Sequence, residues 1–122
     1  MIKEIAFTGS SVTDMKRARA FYEDVLGLKP SAEMAGGKWI EYEVGRGTFA
    51  ITDIDPKTPS TIGTSLAFEV DDIDATHTYM QSKGVNPTEI QTRNDGQKAF
   101  YINDPDGNRI ELCTKSGFGV LV

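Results

Sequence analysis

Asn103-Asp104-Pro105-Asp106-Gly107-Asn108-Arg109-Ile110-Glu111-Leu112 is the stretch whose reading decides the architecture of this chain. Proline presets φ and glycine supplies φ > 0 without steric cost, so Asp-Pro followed by Asp-Gly is dense turn chemistry. Residues 98–102 before it and 108–114 after it are β-prone, and the whole reads as a β-hairpin with a long tip. In the second strand Ile110 and Leu112 alternate with Arg109, Glu111 and Cys113. One face therefore goes to a core, and the other carries a cation, a carboxylate and a thiol.

Upstream of the hairpin, a strand beginning at about Thr64 places Leu66, Phe68 and Val70 on one face. Asp71-Asp72 caps a helix over 73–83, Gly84-Val85 closes it, and residues 86–95 read as extended before Asn94-Asp95-Gly96 turns into the hairpin. The first half repeats this order. Residues 2–8 alternate, with Ile5 and Phe7 on one face and Glu4, Ala6 and Thr8 on the other. Thr13 or Asp14 caps a helix whose Met15, Ala18, Phe21, Tyr22, Val25 and Leu26 fall at helical spacing, and Gly27-Leu28 ends it. Gly36-Gly37 marks a turn, and residues 38–44 and 48–52 form a hairpin around Gly45-Arg46-Gly47. Glu4-Ile5-Ala6-Phe7 matches Ser65-Leu66-Ala67-Phe68. The chain reads as an α+β domain over 1–122, made of two βαβββ modules at 1–57 and 61–115. A linker at 58–60 joins them, and a Gly-rich, then apolar, tail runs over 116–122.

One helix cannot cover both faces of a four-stranded sheet. Each module should bury its apolar face under its own helix and leave the other curved around a shared pocket, the eight strands forming an open mixed sheet. Ile5, Phe7, Phe49, Ile51, Leu66, Phe68, Val70, Ile110 and Leu112 have the helix-facing parity, and all are apolar. The opposite parity gives Glu4, Ala6, Thr8, Thr48, Ala50, Thr52, Ser65, Ala67, Glu69, Arg109, Glu111 and Cys113. Small, polar and ionisable residues on the enclosed face fit a small-molecule pocket.

The 122 residues carry a formal charge of −5, and the basic run Lys16-Arg17-Ala18-Arg19 reads as a solvated helix face, which argues against nucleic acid as a partner. Cys113 is the only cysteine, so no intramolecular disulfide and no cysteine-based zinc site can form. The residues from Met1 onward lack a signal-peptide pattern, and no apolar stretch approaches the roughly 20 residues of a membrane span. The expectation is a soluble cytoplasmic protein with no membrane partner.

Four motifs carry a family likeness: Val12-Thr13-Asp14-Met15, Phe21-Tyr22-Glu23-Asp24-Val25-Leu26-Gly27-Leu28, Phe68-Glu69-Val70-Asp71-Asp72 and Asp104-Pro105-Asp106-Gly107-Asn108-Arg109-Ile110-Glu111-Leu112. With them the chain resembles the vicinal oxygen chelate superfamily, the fold of glyoxalase I, extradiol dioxygenases, fosfomycin-modifying enzymes, methylmalonyl-CoA epimerase and bleomycin-binding proteins. The resemblance implies a homodimer. It also implies that four pocket-facing positions, here Glu4, Ala50, Ser65 and Glu111, would ligate a metal in metal-using members. Only Glu111 is the usual residue there; Glu4 stands where His or Gln is typical, Ser65 where His is typical, and Ala50 offers no donor. No cofactor is expected beyond a weak divalent metal on Glu4 and Glu111, since two carboxylates alone suit Mg²⁺ or Mn²⁺ with several waters. The single histidine, His77, lies on the second helix towards its apolar side.

Each remaining candidate has two readings. Glu4 and Glu111 are the candidate general acid and base; alternatively Glu111 pairs with Arg109 or Lys3. Arg109 either holds a substrate carboxylate or phosphate bidentately or is a rim charge. Trp39, Tyr42 and Tyr101 form an aromatic wall or pack in a core. Thr8, Thr48, Ala50, Ser65, Glu69 and Cys113 complete the candidate substrate-binding set, with Cys113 a small buried hydrophobe by default. Three functions follow: a glyoxalase-like lyase or isomerase using carboxylates, a metal-free protein that sequesters a small, antibiotic-like molecule, or a scaffold subunit with a vestigial pocket.

Overall fold

The structure is a computed structural model that describes residues 1, 7–54, 66–93 and 96–114. Glu4, Ser65, Lys3, the linker at 58–60 and the tail at 116–122 lie outside the described residues. The chain divides into two units, one of Met1–Ile62 with Asp104–Asn108, the other of Gly63–Asn103 with Arg109–Val122.

In the first unit, strands β1 (Thr8–Ser11), β2 (Pro30–Met34), β3 (Trp39–Val44) and β4 (Gly47–Thr52) form a mixed sheet of order β1-β4-β3-β2, with β1 parallel to β4. Between β1 and β2 runs helix α1 (Met15–Arg19), continued by a π-helical stretch at Ala20–Val25. Asp14 caps α1, its carboxylate accepting from the Arg17 amide at 3.0 Å. The wide turn closes where the Leu26 amide donates to the Phe21 carbonyl, and Gly27 follows at φ +76°, a conformation costly for any residue with a Cβ. In the second unit, β5 (Leu66–Glu69), α2 (Ile73–Ser82), β6 (Gln91–Thr92), β7 (Lys98–Asn103) and β8 (Arg109–Cys113) repeat the plan with order β5-β8-β7-β6 and β5 parallel to β8. Asp72 caps α2 through the Ala75 amide at 3.0 Å. Eight strands in two βαβββ halves are therefore present, as the repeat predicts.

The helix-covered faces are apolar. In the first unit Ala18, Phe21 and Tyr22 pack on Ile40, Tyr42, Phe49 and Ile51, with the Tyr22 and Phe49 rings 5.1 Å apart. In the second, Ile73 and Met80 stand over a face made of Phe100, Ile102, Ile110 and Leu112, all buried. His77 packs edge-on to Phe100 and hydrogen-bonds the Thr88 carbonyl at 2.8 Å, so it is a core histidine. Among the described residues no helix is long and apolar enough to cross a membrane.

One expectation is corrected. The first strand begins at Thr8, and its register sets Thr8 beside Phe49 and Gly9 beside Ala50. Thr8 thus has the parity of the helix-covered face, while Phe7, 46% exposed, meets Trp39 edge-to-face at 5.1 Å on the other side. The strand that pairs is Thr-Gly-Ser-Ser, with Thr8 and Gly9 exposed and Ser10 and Ser11 half-buried. Tyr42 takes the core reading of its two alternatives: it is fully buried on the helix side, and its hydroxyl donates to Glu23 Oε2 at 2.8 Å.

The 104–108 turn that opens the sequence reading groups with the first unit. Asp104, only 5% exposed, accepts four hydrogen bonds. Its Oδ1 takes the amides of Asp106 and Asn108 at 2.9 and 2.8 Å, and its Oδ2 takes the Tyr22 hydroxyl at 2.8 Å and Asn108 Nδ2 at 2.7 Å. Asn108 Nδ2 also donates to the Ser11 carbonyl, and Asp106 Oδ1 accepts from the amide and hydroxyl of Thr13 and from Arg17. Burial, the Asp104 charge and the hydrogen bond to it hold Tyr22 protonated far above the ordinary tyrosine range.

Urea unfolding of Tyr22→Phe should show a loss of about 1 kcal/mol, whereas Asp104→Ala, which strands several buried donors, should lose ~3 kcal/mol or more. Equal effects of the two substitutions would contradict the four-donor arrangement. A second outcome concerns Glu23. Burial acts to raise its carboxyl, but hydrogen bonds from Arg19 and Tyr42 and the Arg19 charge outweigh it, and the group sits below the usual range. Its stabilisation is then complete above an unfolded value of about 4.3 and is lost as pH falls through the lower folded value. Glu23→Gln should flatten that acid limb in pH-dependent unfolding.

Candidate functional site

The face of the second sheet away from α2 is set by register. Tyr101 stands opposite Glu111, which is beside Ala67; Cys113 lies between Ala99 and Glu69; Arg109 faces Asn103. Two donors meet on one oxygen of Glu111: the Tyr101 hydroxyl at 2.9 Å and a guanidinium nitrogen of Arg93 at 2.5 Å. Arg93 follows β6 and is positioned by a tight turn in which its amide donates to the Gln97 carbonyl at 2.7 Å and its carbonyl accepts from Gly96. The bond to Glu111, one to Tyr101 and the Glu111 charge raise the Arg93 guanidinium further above its ordinary value. Arg109 does not pair with Glu111; its guanidinium carbon lies over the Tyr101 ring, 3.8 Å from the centroid. A row Arg109, Tyr101, Glu111, Arg93 results, with cations at both ends and one carboxylate between.

Cys113 is half-buried, its sulfur 3.6 Å from the Phe68 carbonyl. Burial first, and then the Glu111 charge, raise the thiol above its usual value, while Arg93 pulls the other way. The thiolate is the nucleophile, so this cysteine is suppressed.

On the corresponding face of the first sheet, Phe7 and Trp39 form their edge-to-face pair, and Trp39 Nε1 donates to Glu41 Oε2 at 2.9 Å. The Thr48 hydroxyl donates to Glu43 at 2.9 Å. Ala50, opposite Glu41, is fully buried.

Of the residues singled out from the sequence, Glu69, Tyr101, Arg109, Glu111 and Cys113 share one face of the second sheet, and Trp39, Thr48 and Ala50 one face of the first. Thr8 has the other parity, and Glu4 and Ser65 lie outside the described residues. Arg93 was missed. It sits just before an Asn-Asp-Gly turn, and a cation there, at the end of the strand pairing with β7, is the signal that would have found it.

Of the four positions the resemblance implies, only Ala50 and Glu111 are described, and these two alone do not make a divalent-metal site. Glu111, the usual ligand, has Oε1 committed to two donors, and one of them is a cation that would repel a second. Ala50 has no donor atom, and among the described residues no group of three or more His, Cys, Asp or Glu side chains could hold a metal ion.

Paired βαβββ units with a polar sheet face define a class of small α+β proteins. Residues 4–112 match the model of the Glyoxalase/Bleomycin resistance protein/Dioxygenase superfamily, and the chain belongs to that family. It is 32% identical to a lactoylglutathione lyase of Haemophilus influenzae, over 95% of this chain and 98% of that one. It is 28% identical to the metallothiol transferase FosB of Staphylococcus saprophyticus, over 93% and 78% respectively. Among solved structures it resembles TnmS3, an antibiotic binding protein from Streptomyces sp. CB03234, with a TM-score of 0.77 and 26% identity over 94% of this chain and 98% of that one.

Iodoacetamide should modify Cys113 more slowly than free cysteine at pH 8. Glu111→Gln, which removes the charge that raises the thiol, should speed the reaction, and Arg93→Ala should slow it. Mass spectrometry of timed samples reads all three.

Proposed function

We propose that this protein binds a small organic molecule without a metal, as a soluble cytoplasmic homodimer. The observation that carries the reading is the pair of donors on Glu111 Oε1. A carboxylate oxygen has two lone pairs, and here Arg93 and Tyr101 take both. That commits Oε1 to an internal ion pair, which weakens the group as a ligand for a divalent cation and leaves that oxygen no lone pair for a substrate proton. The arrangement supports recognition over proton transfer, and so favours a binding protein over a lyase or isomerase.

The exposed Phe7 beside Trp39 supports an aromatic or amphipathic ligand, because such rings offer large rigid contact area at low entropic cost. The likeness to TnmS3, described as an antibiotic binding protein, points the same way. The relatives described as lyase and metallothiol transferase mark the enzymatic alternative within the family.

After loading with Ni²⁺, Mn²⁺, Zn²⁺ and Mg²⁺ and exhaustive dialysis, plasma mass spectrometry should find no near-stoichiometric metal. Trp39, the only tryptophan, should report binding of aromatic amphipathic compounds by fluorescence equally with and without chelator. Stoichiometric metal that disappears in Glu111→Ala would overturn the reading. Light scattering should give twice the chain mass.

A further inference from the structure

The geometry points to Arg109 as an oxyanion receptor: its guanidinium, held over the Tyr101 ring, takes the carboxylate or phosphate-type head of the ligand through its N–H groups. This inference rests on the metal-free binding function proposed above and adds the chemical class of what is bound.

The argument starts from what an exposed arginine ordinarily does. Its long side chain samples many rotamers, and ordering it costs free energy that an incoming anion would have to repay. Here Cζ of Arg109 sits 3.8 Å from the Tyr101 centroid, so the guanidinium is already held over a ring that is fixed by a strand. Stacking uses the π face of the guanidinium and leaves its N–H groups, which lie in the plane, available for two parallel hydrogen bonds to an oxyanion. The Tyr101 hydroxyl donates to a carboxylate at 2.9 Å, which enriches the ring in electron density and strengthens the stack.

The surrounding charges do not oppose an anion. Glu111 is two residues along the same strand face, but it is matched by Arg93. Glu69 lies at the other end of the β5–β8 pairing, opposite Cys113. Among the described residues this face carries two guanidinium groups, Arg93 and Arg109, and two carboxylates, Glu111 and Glu69; Glu111 is engaged by Arg93 and Glu69 stands at the Cys113 end, so the Arg109 end, opposite Asn103, is the cationic one in a chain whose net charge is −5. That local reversal of sign against the whole protein is what an anion site requires.

The test is a titration of the full chain with benzoate and phenyl phosphate, and with neutral benzamide as control. It is followed by the ¹⁵N–Hε resonance of Arg109, while Trp39 fluorescence separately reads aromatic binding on the first sheet. Both anions should move the Arg109 signal saturably, with the tighter one identifying the head group, and benzamide should not. Arg109→Lys keeps the charge but loses the planar fork, and should weaken anion binding by about tenfold. Tyr101→Leu, which removes the ring but not the charge, should weaken it too. Equal affinity of the wild type and Arg109→Lys for both anions would overturn the inference, as would an Arg109 resonance unmoved by either. If benzamide and other neutral aromatics still quench Trp39 in that case, the metal-free binding function stands and only the anionic class falls. If nothing quenches it and metal is retained, the failure belongs to the binding function itself.

Discussion

The carboxylate of Asp104 is the constraint on which the first unit depends. A buried charge is tolerated only when its lone pairs are filled, and four donors fill them, two from its own turn backbone, one from Asn108 and one from Tyr22. Tyr22 in turn is the largest ring of that core, and it sits where the π-helical stretch widens the helix. Its hydroxyl needs a buried acceptor, and its ring packs against Phe21, Tyr42 and Phe49 with Ser10 beside its hydroxyl. The turn, the helix and the small-residue strand are thus one arrangement, each explaining the others.

Much of this was legible in the residues. The caps Asp14 and Asp72, the stops at Gly27 and Gly84 and the internal repeat follow from local chemistry, and local chemistry survives folding. The hairpin strands were legible because Ile110, Leu112, Phe49 and Ile51 alternate cleanly. What stayed hidden has a common cause. Strand β1 carries no apolar residue, β2 is the polar run Pro-Ser-Ala-Glu-Met at a sheet edge, and β6 is two residues long, so none announces itself by periodicity. A partner for Glu111 could be sought only among near neighbours such as Arg109, while Arg93 reaches it across two strands.

The candidate site shows how a family fold is redirected by few changes. The position that keeps the usual glutamate surrounds it with an arginine and a tyrosine, and a neighbouring arginine is left to stack. The balance of charge on that face is therefore supplied by side chains of the protein itself. In the adjacent register the Cys113 thiol is held above its usual value by burial and by the Glu111 charge.

The first unit is discontinuous along the chain, and this has a consequence for synthesis. Residues 82 and 97 positions apart are joined in the Tyr22–Asp104 and Ser11–Asn108 bonds. On the ribosome, helix α1 and its sheet emerge long before the turn that completes them. Until residues 104–108 have left the exit tunnel, the Tyr22 hydroxyl lacks its Asp104 acceptor, and a closure of high contact order is still to be made. The half of the protein that is translated first is thus among the last to be finished.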